Sequence, residues 1–342
     1  MLMSVQSEKP RVALLFPGQG AQQVRMGMGL YGAEPVFTQV MDEFFVALGE
    51  DGPVVRSDWL SAHPGPMFDD CSRAQPLLFA VGSALAAAVV GRDIRPEVLV
   101  GHSVGELAAA ATAGVFDIQD AGRVMAARTK AMAATVPGGM LAVATGVDRV
   151  REVLGNDLGN ASGDGVAIAA INTPRQTVLA GSRVALAAAQ SELSAQLIAC
   201  HPARARQAFH SPLCEEAAAE FSGVFASIAL RPPAIAIRST YTGRDVTDQQ
   251  AVTPDFWAVQ LARPVQYWPA VDSLLQSGRY LLLEAGPGGS SSALLRRHPA
   301  IRSGASRVLP LLSTIADNNA YRVFEGAISE AASLNGASAG LP

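Results

Sequence analysis

Ser103 lies in Gly101-His102-Ser103-Val104-Gly105, a G-x-S-x-G spacing set between the apolar residues 98–100 and the Ala-rich helix former 107–111. A serine on a tight turn from a buried strand into a helix has its hydroxyl lifted clear of the sheet. The same turn puts the Val104 N–H at a helix N-terminus, where it can face a developing oxyanion. The flanking glycines allow the strand and helix backbones to approach closely. The chemistry such a turn supports is nucleophilic, with an acyl group carried for a time as a serine ester.

A serine nucleophile needs a base, and five histidines are available: His63, His102, His201, His210 and His298. His102 adjoins Ser103 along the strand, so its side chain should point away from the hydroxyl. His210 is set apart by position, because Ala208-Phe209-His210-Ser211-Pro212 follows directly on a segment of different rhythm. No such argument attaches to His63, His201 or His298.

Short apolar runs ending in glycine alternate with longer Ala-rich stretches, the pattern of an α/β fold with a parallel sheet. Residues 12–16 predict a strand running into Pro17-Gly18-Gln19-Gly20, and residues 98–100 a second, short and buried. Residues 74–90 predict a helix opened by Ser72, with Pro76 in its first turn. From residue 139 to 207 the order changes: strand 140–145, helix 147–154, strands 166–171 and 177–180, helix 183–197, then an extended piece. That βαββαβ order is the ferredoxin-like unit. The expectation is a large α/β-hydrolase-like domain of residues 1–138 and 208–342, with a ferredoxin-like domain of residues 139–207 inserted in it. The closing residues 334–342 are small and polar and read as frayed.

Composition narrows the classes. The 342 residues are 49% hydrophobic with a net charge of −4, enough for a sizeable core and too balanced for general affinity to nucleic acid or an anionic membrane. The polar N-terminus does not resemble a signal peptide, and the apolar run 77–90 falls short of the roughly 20 residues a membrane span needs. Cys71, Cys200 and Cys214 are odd in number and lack metal-ligand spacing, so neither a disulfide framework nor a metal site is expected, and the expected compartment is the cytoplasm. Gly18-Gln19-Gly20 lacks the third glycine and the acidic ribose ligand of a dinucleotide site.

Several blocks occur in a characteristic order: Phe16-Pro17-Gly18-Gln19-Gly20, Ala74-Gln75-Pro76, Gly101-His102-Ser103-Val104-Gly105-Glu106, and Arg128 in Ala127-Arg128-Thr129-Lys130-Ala131-Met132. Asn172-Thr173-Pro174 with Gln176, Ala208-Phe209-His210, Gln260 in Val259-Gln260-Leu261-Ala262-Arg263-Pro264-Val265, and Glu284-Ala285-Gly286-Pro287-Gly288 complete the set. Over about residues 11 to 300 the chain resembles the malonyl-CoA:acyl-carrier-protein transacylases and the acyltransferase domains of polyketide and fatty acid synthases. The resemblance implies Ser103 as nucleophile and His210 as general base, oriented by a backbone carbonyl near Gln260 in place of an aspartate. It implies an oxyanion hole from Gln19 and the Val104 N–H, and Asn172 and Gln260 among the residues that bind substrate. No bound cofactor is implied, because coenzyme A and phosphopantetheine thioesters are the substrates.

Arg128 bears on the acyl group. Taken by itself it reads equally as a solvated charge on a helix flank. In the family, an arginine here pairs with the free carboxylate of a malonyl-type group, a task its planar fork suits. Phe209 and Val104 also match malonyl-type members, the ring filling the space an α-methyl needs. Gln207, Thr129 and Ser290-Ser291-Ser292 depart from the pattern, which usually has histidine, glycine and apolar residues there. These departures keep two alternatives open: transfer of a neutral acyl or aminoacyl group between carriers, and hydrolysis of acyl-carrier thioesters.

An acidic acyl carrier protein is the implied partner, with no role for nucleic acid or a membrane. Arg204 and Arg206 before His210, and Arg296, Arg297 and Arg302 after the Gly-Pro-Gly turn, are the basic residues expected at the mouth of the site.

Overall fold

The structure, a computed structural model, describes residues 9–155, 158, 165–313 and 319–335. The closing stretch read as frayed lies, from residue 336 on, outside the described residues. Strand β1 (Arg11–Phe16) is buried at every position after Arg11, the pattern of a strand covered on both faces. Helices α1 (Pro35–Ala47), α2 (Gly52–Leu60) and α3 (Cys71–Gly91) precede strand β2 (Val98–Gly101), which leads through Ser103 into α4 (Val104–Thr112) and α5 (Ile118–Ala133). Next come β3 (Gly139–Val143), α6 (Val147–Leu154), β4 (Val166–Thr173), β5 (Gln176–Gly181), α7 (Arg183–Ala195) and β6 (Cys200–Pro202). The chain then returns through α8 (Glu215–Phe225), β7 (Ala236–Arg238), β8 (Tyr280–Glu284) and β9 (Arg307–Pro310), with short helices between the last strands.

Two sheets result. The first has the order β7-β2-β1-β8-β9 with every pairing parallel, and the second the order β4-β5-β3-β6 with every pairing antiparallel. The sheets are tied where β4 meets the segment after Gln260: the Ile171 N–H donates to the Val265 carbonyl at 2.9 Å, and the Val265 N–H to the Ala169 carbonyl at 2.8 Å. The two ends of the segment carrying the second sheet lie together, with the Gly138 N–H donating to the Arg206 carbonyl at 3.0 Å.

Helix α3 departs from its sequence reading at its start. It begins at Cys71, and the cap is Asp70, whose Oδ1 accepts from the Ser72 N–H at 3.0 Å and the Ser72 hydroxyl at 2.8 Å. A carboxylate with extended backbone is the stronger N-cap here, and Ser72 becomes a helical residue. Pro76 therefore sits beyond the first turn, and the Ser72 carbonyl that its missing N–H leaves free accepts from Arg73 Nη1 at 3.3 Å. At 21 residues the helix also exceeds the 77–90 run and is long and apolar enough to cross a membrane, yet 83% of its most apolar window is buried inside the protein. It is a core helix.

Candidate active site

Ser103 stands two residues beyond the end of β2 and has φ 56° and ψ −118°, a backbone conformation few residues other than glycine adopt. The turn is tight enough to dictate its flanks. A Cβ on Gly105 would lie 2.2 Å from the Phe16 carbonyl oxygen, and one on Gly101 2.2 Å from the Glu106 nitrogen. Such strain persists only where the surroundings over-determine it.

His210 also has a positive φ, 61°, and its N–H donates to the Leu261 carbonyl at 2.8 Å. Its Nδ1 lies 2.9 Å from the Gln260 carbonyl and 3.0 Å from the Arg263 carbonyl. Carbonyls only accept, so Nδ1 carries the proton and Nε2 presents a lone pair to Ser103 Oγ, 2.7 Å away. Burial holds the His210 imidazole well below its ordinary pKa, and the charges of Arg128 and His102 add to the effect. The result is a neutral ring poised to take a proton from the serine.

The His102 side chain turns the other way, its Nε2 meeting Asn172 Oδ1 at 2.8 Å. Burial lowers its pKa too. This contact brings Asn172, at the end of β4, against the elbow. Gln260 contributes its carbonyl, while its side-chain Nε2 donates to the Phe256 carbonyl at 3.3 Å. Val104 is fully buried at the first position of α4, and its N–H has no hydrogen-bond acceptor among the described residues.

A polar chain of side chains runs from the first loop into the core. Gln19 Nε2 donates to the Asp69 carbonyl at 3.1 Å, Gln75 Nε2 to Gln19 Oε1 at 2.8 Å, and Arg128 Nε to Gln75 Oε1 at 2.6 Å. Sequence reasoning assigns Gln75 no role of its own, although it stands in the Ala74-Gln75-Pro76 block. Arg128 is only 2% exposed, which excludes the solvated helix flank. No carboxylate among the described residues pairs with it, and the Phe221 ring lies 5.9 Å from its Cζ. Burial lowers its pKa to about 10, so it remains a cation at neutral pH. Phe209 is buried in the main core beside His210.

The basic residues divide into two groups. Arg204 and Arg206 reach back to Asp69 at 3.1 Å and Asp70 at 3.9 Å, and with Gln19, Cys71 and Gln207 these residues line a cavity of about 330 Å³. Arg296 and Arg297 instead line a cleft of about 890 Å³ with Arg175, His201, Thr173 and Trp268. Neither they nor Arg175 is in an ion pair with a described carboxylate. Two of the three serines that depart from the family pattern have a structural explanation: the fully buried Glu284 accepts from the Ser290 hydroxyl at 3.1 Å and the Ser292 hydroxyl at 2.5 Å. The Ser291 and Ser292 N–H groups also donate to it, at 2.8 and 3.1 Å, as any residue at the start of this short helix would.

Known proteins share this architecture. The family model for the acyl transferase domain matches residues 13–304. A phenolphthiocerol/phthiocerol polyketide synthase of Mycobacterium tuberculosis is 35% identical over 289 residues, 84% of this chain and 19% of that protein. Polyketide synthase GfsB of Streptomyces halstedii is 35% identical over 285 residues, 83% of this chain and 5% of that protein. The chain thus spans about a fifth or less of these curated relatives. Among solved structures, the acyl transferase domain of SpnD in complex with 2-(pent-4-yn-1-yl)malonyl matches with a TM-score of 0.87 at 30% identity, over 98% of this chain and 79% of that one. FabD of Acinetobacter baumannii matches with a TM-score of 0.82 at 27% identity, over 95% of this chain and 99% of that one. A single family model over most of the length, and full-length likeness to both groups of structures, mean that the chain belongs to the acyl transferase domain family and is an acyltransferase of the type found in FabD enzymes and polyketide synthases.

Proposed function

We propose that the chain moves a malonyl-type acyl group from coenzyme A to the phosphopantetheine thiol of an acyl carrier protein, in polyketide or fatty acid synthesis. The observation that carries the acyl assignment is Arg128, a buried cation without a carboxylate partner among the described residues. A guanidinium so placed is completed by a carboxylate on the substrate.

In this reading Ser103 Oγ attacks the thioester carbonyl while His210 Nε2 takes the serine proton. The oxyanion meets the backbone N–H groups of Val104 and Gln19; the Gln19 side chain is already spent on Asp69 and Gln75. The tetrahedral adduct collapses to the serine ester, and His210 returns its proton to the departing thiolate. A carrier thiol then runs the same steps in reverse. The Gln260 and Arg263 carbonyls stabilise the transient imidazolium through Nδ1, the service an aspartate gives in other triads. Phe209 restricts the space at the acyl α-carbon, Asn172 steadies the elbow through His102, and no bound cofactor takes part.

Residues 1–138 and 208–342 form the large catalytic domain in this reading, with residues 139–207 a ferredoxin-like insertion whose strand order supports the assignment. Carrier docking falls to Arg296 and Arg297 ahead of Arg204 and Arg206, because the latter pair is already engaged by Asp69 and Asp70. The cytoplasm, where coenzyme A thioesters are made, is the proposed compartment. Intact-mass spectrometry tests the proposal: incubation with malonyl-CoA should give a malonyl adduct that persists until a carrier protein discharges it. An adduct that forms only with neutral acyl thioesters would replace the acyl assignment, and one lost at once to water would make the protein a hydrolase.

A further inference from the structure

Glu106 stands in the first turn of α4, three residues beyond Ser103, and is only 1% exposed. Its Oε2 lies 2.9 Å from the Thr240 nitrogen and 2.8 Å from Thr240 Oγ1, and that same Oγ1 lies 2.7 Å from the Gly101 carbonyl oxygen. A threonine hydroxyl has one proton to give. Given to a Glu106 carboxylate, it would leave Oγ1 and the Gly101 oxygen facing each other lone pair to lone pair, in a buried site where such a contact is costly. One assignment satisfies all three contacts. The Thr240 hydroxyl donates to the Gly101 carbonyl, Glu106 Oε2–H donates to Thr240 Oγ1, and the Thr240 N–H donates to Glu106 Oε2.

We propose that Glu106 is held as a neutral carboxylic acid whose proton clamps the strand-to-helix elbow to the Thr240 turn, making it a positioning residue for Ser103. Its surroundings fit. Glu106 Oε1 makes no well-formed hydrogen bond, which an acid carbonyl tolerates far better than a carboxylate oxygen. The Ser239 hydroxyl and the Tyr241 N–H lie close to the carboxyl and favour its ionised form, but burial outweighs them. The residue shares a cavity of about 10 Å³ with Ser103, His210, Thr240, Tyr241 and Arg263. The titratable and charged groups facing it there are Tyr241, the neutral His210, and Arg263, whose guanidinium is paired with Glu215 at 2.9 Å. No free cation therefore offsets a carboxylate there, and burial raises the Glu106 pKa to about 7.

The clamp lies outside the chemistry proposed above, and its activity readout rests on that reading, but its protonation can be observed without any substrate. Infrared difference spectra between wild type and Glu106→Gln at pH 6 should contain the C=O band of a protonated carboxyl. An ordinary glutamate, with a pKa near 4.3, would be almost wholly ionised there. Absence of that band overturns the proposal. Positioning is read from the pH profile. As Glu106 ionises, wild-type kcat/KM for acylation should fall roughly fivefold between pH 7 and 8, and Glu106→Gln should flatten that fall. His210, titrating far lower, contributes no limb in this window. Identical profiles in the two proteins overturn the positioning role even if the acid is found. Should Glu106→Gln not fold, Thr240→Val serves instead: it removes the acceptor of the acid proton, so the C=O band must shift, whereas Thr240→Ser must leave it in place. An unshifted band in Thr240→Val overturns the clamp. A protein that shows the band and never forms an acyl adduct contradicts the proposed transfer and leaves the acid standing.

Discussion

Replacing Arg128 with alanine should separate malonyl from acetyl transfer. Its Nε is committed to Gln75, so the two terminal nitrogens form the edge left for a ligand, and no described carboxylate competes for them. A charge-assisted contact contributes about 1.5–3 kcal/mol net, which is roughly a ten- to 150-fold effect on rate. If the contact persists in the transition state, kcat/KM for malonyl-CoA falls by that factor in Arg128→Ala. Acetyl-CoA has no carboxylate to lose, and the variant removes a buried cation, so acetyl transfer holds or improves. Arg128→Lys keeps the charge without the planar fork and should recover only part of the malonyl rate. The assay is single-turnover acylation by each thioester, followed by intact mass, and the ratio of the two rates is the quantity to report. A parallel fall in both substrates would assign Arg128 to the fold alone. A wild type that already prefers acetyl would refute the carboxylate argument and turn attention to Gln207 and Thr129.

Ser103→Ala should form no covalent adduct with any acyl thioester, and His210→Ala should slow both acylation and discharge by about 10²–10⁴-fold, measured by rapid quench. Glu106 makes stability depend on pH in a definite direction. Its folded pKa lies above the unfolded value of 4.5, so its contribution is complete below that pH and is lost as pH rises to about 7, by about 3 kcal/mol. Thermal melts at pH 5 and 8 should therefore differ more in wild type than in Glu106→Gln, and equal differences would count against the raised pKa. Arg296→Glu with Arg297→Glu should weaken the second half-reaction with a carrier protein and reduce its salt dependence, while acylation by malonyl-CoA changes less. If both half-reactions decline together, the cleft they line serves coenzyme A as well.

The elbow is legible because its spacing and its neighbours say the same thing: an apolar strand, a pair of glycines and an Ala-rich helix leave the serine one conformation. Local patterns also locate β1, β2 and the strands and helices of the second sheet to within a few residues, whereas β7, β8 and β9, which complete the first sheet, are not read from the sequence. What stays hidden in the sequence depends on pairings between distant residues. Gln75 is marked in the sequence only as part of the Ala74-Gln75-Pro76 block, and its role appears when Gln19 and Arg128, more than fifty positions away on either side, are seen to meet it. Arg204 looks like a free cation until Asp69, 135 positions earlier, is found beside it. The Ser290-Ser291-Ser292 run looks like a departure from pattern because its partner, Glu284, belongs to the preceding strand and reads only as part of its own block. His210 lies between these extremes, marked by its place at the return from the second sheet, while its carbonyl partner at Gln260, fifty residues on, is implied by the family resemblance and by no local pattern.

The hydrogen bond between Gly138 and Arg206 closes a neck, and a neck makes a segment exchangeable. The chain leaves the first sheet and comes back at nearly the same point, so changing the length or identity of what lies between alters loop-closure entropy only logarithmically. A recombinant carrying the corresponding segment of another acyltransferase should retain the parallel sheet with Ser103 and His210 on it. The exchange must preserve two stitches across the seam, the Ile171–Val265 backbone pair and the Asn172 amide that receives His102. Chimeras of this kind would let the side of the cleft lined by Thr173, Arg175 and His201 be varied while the reacting pair is kept constant.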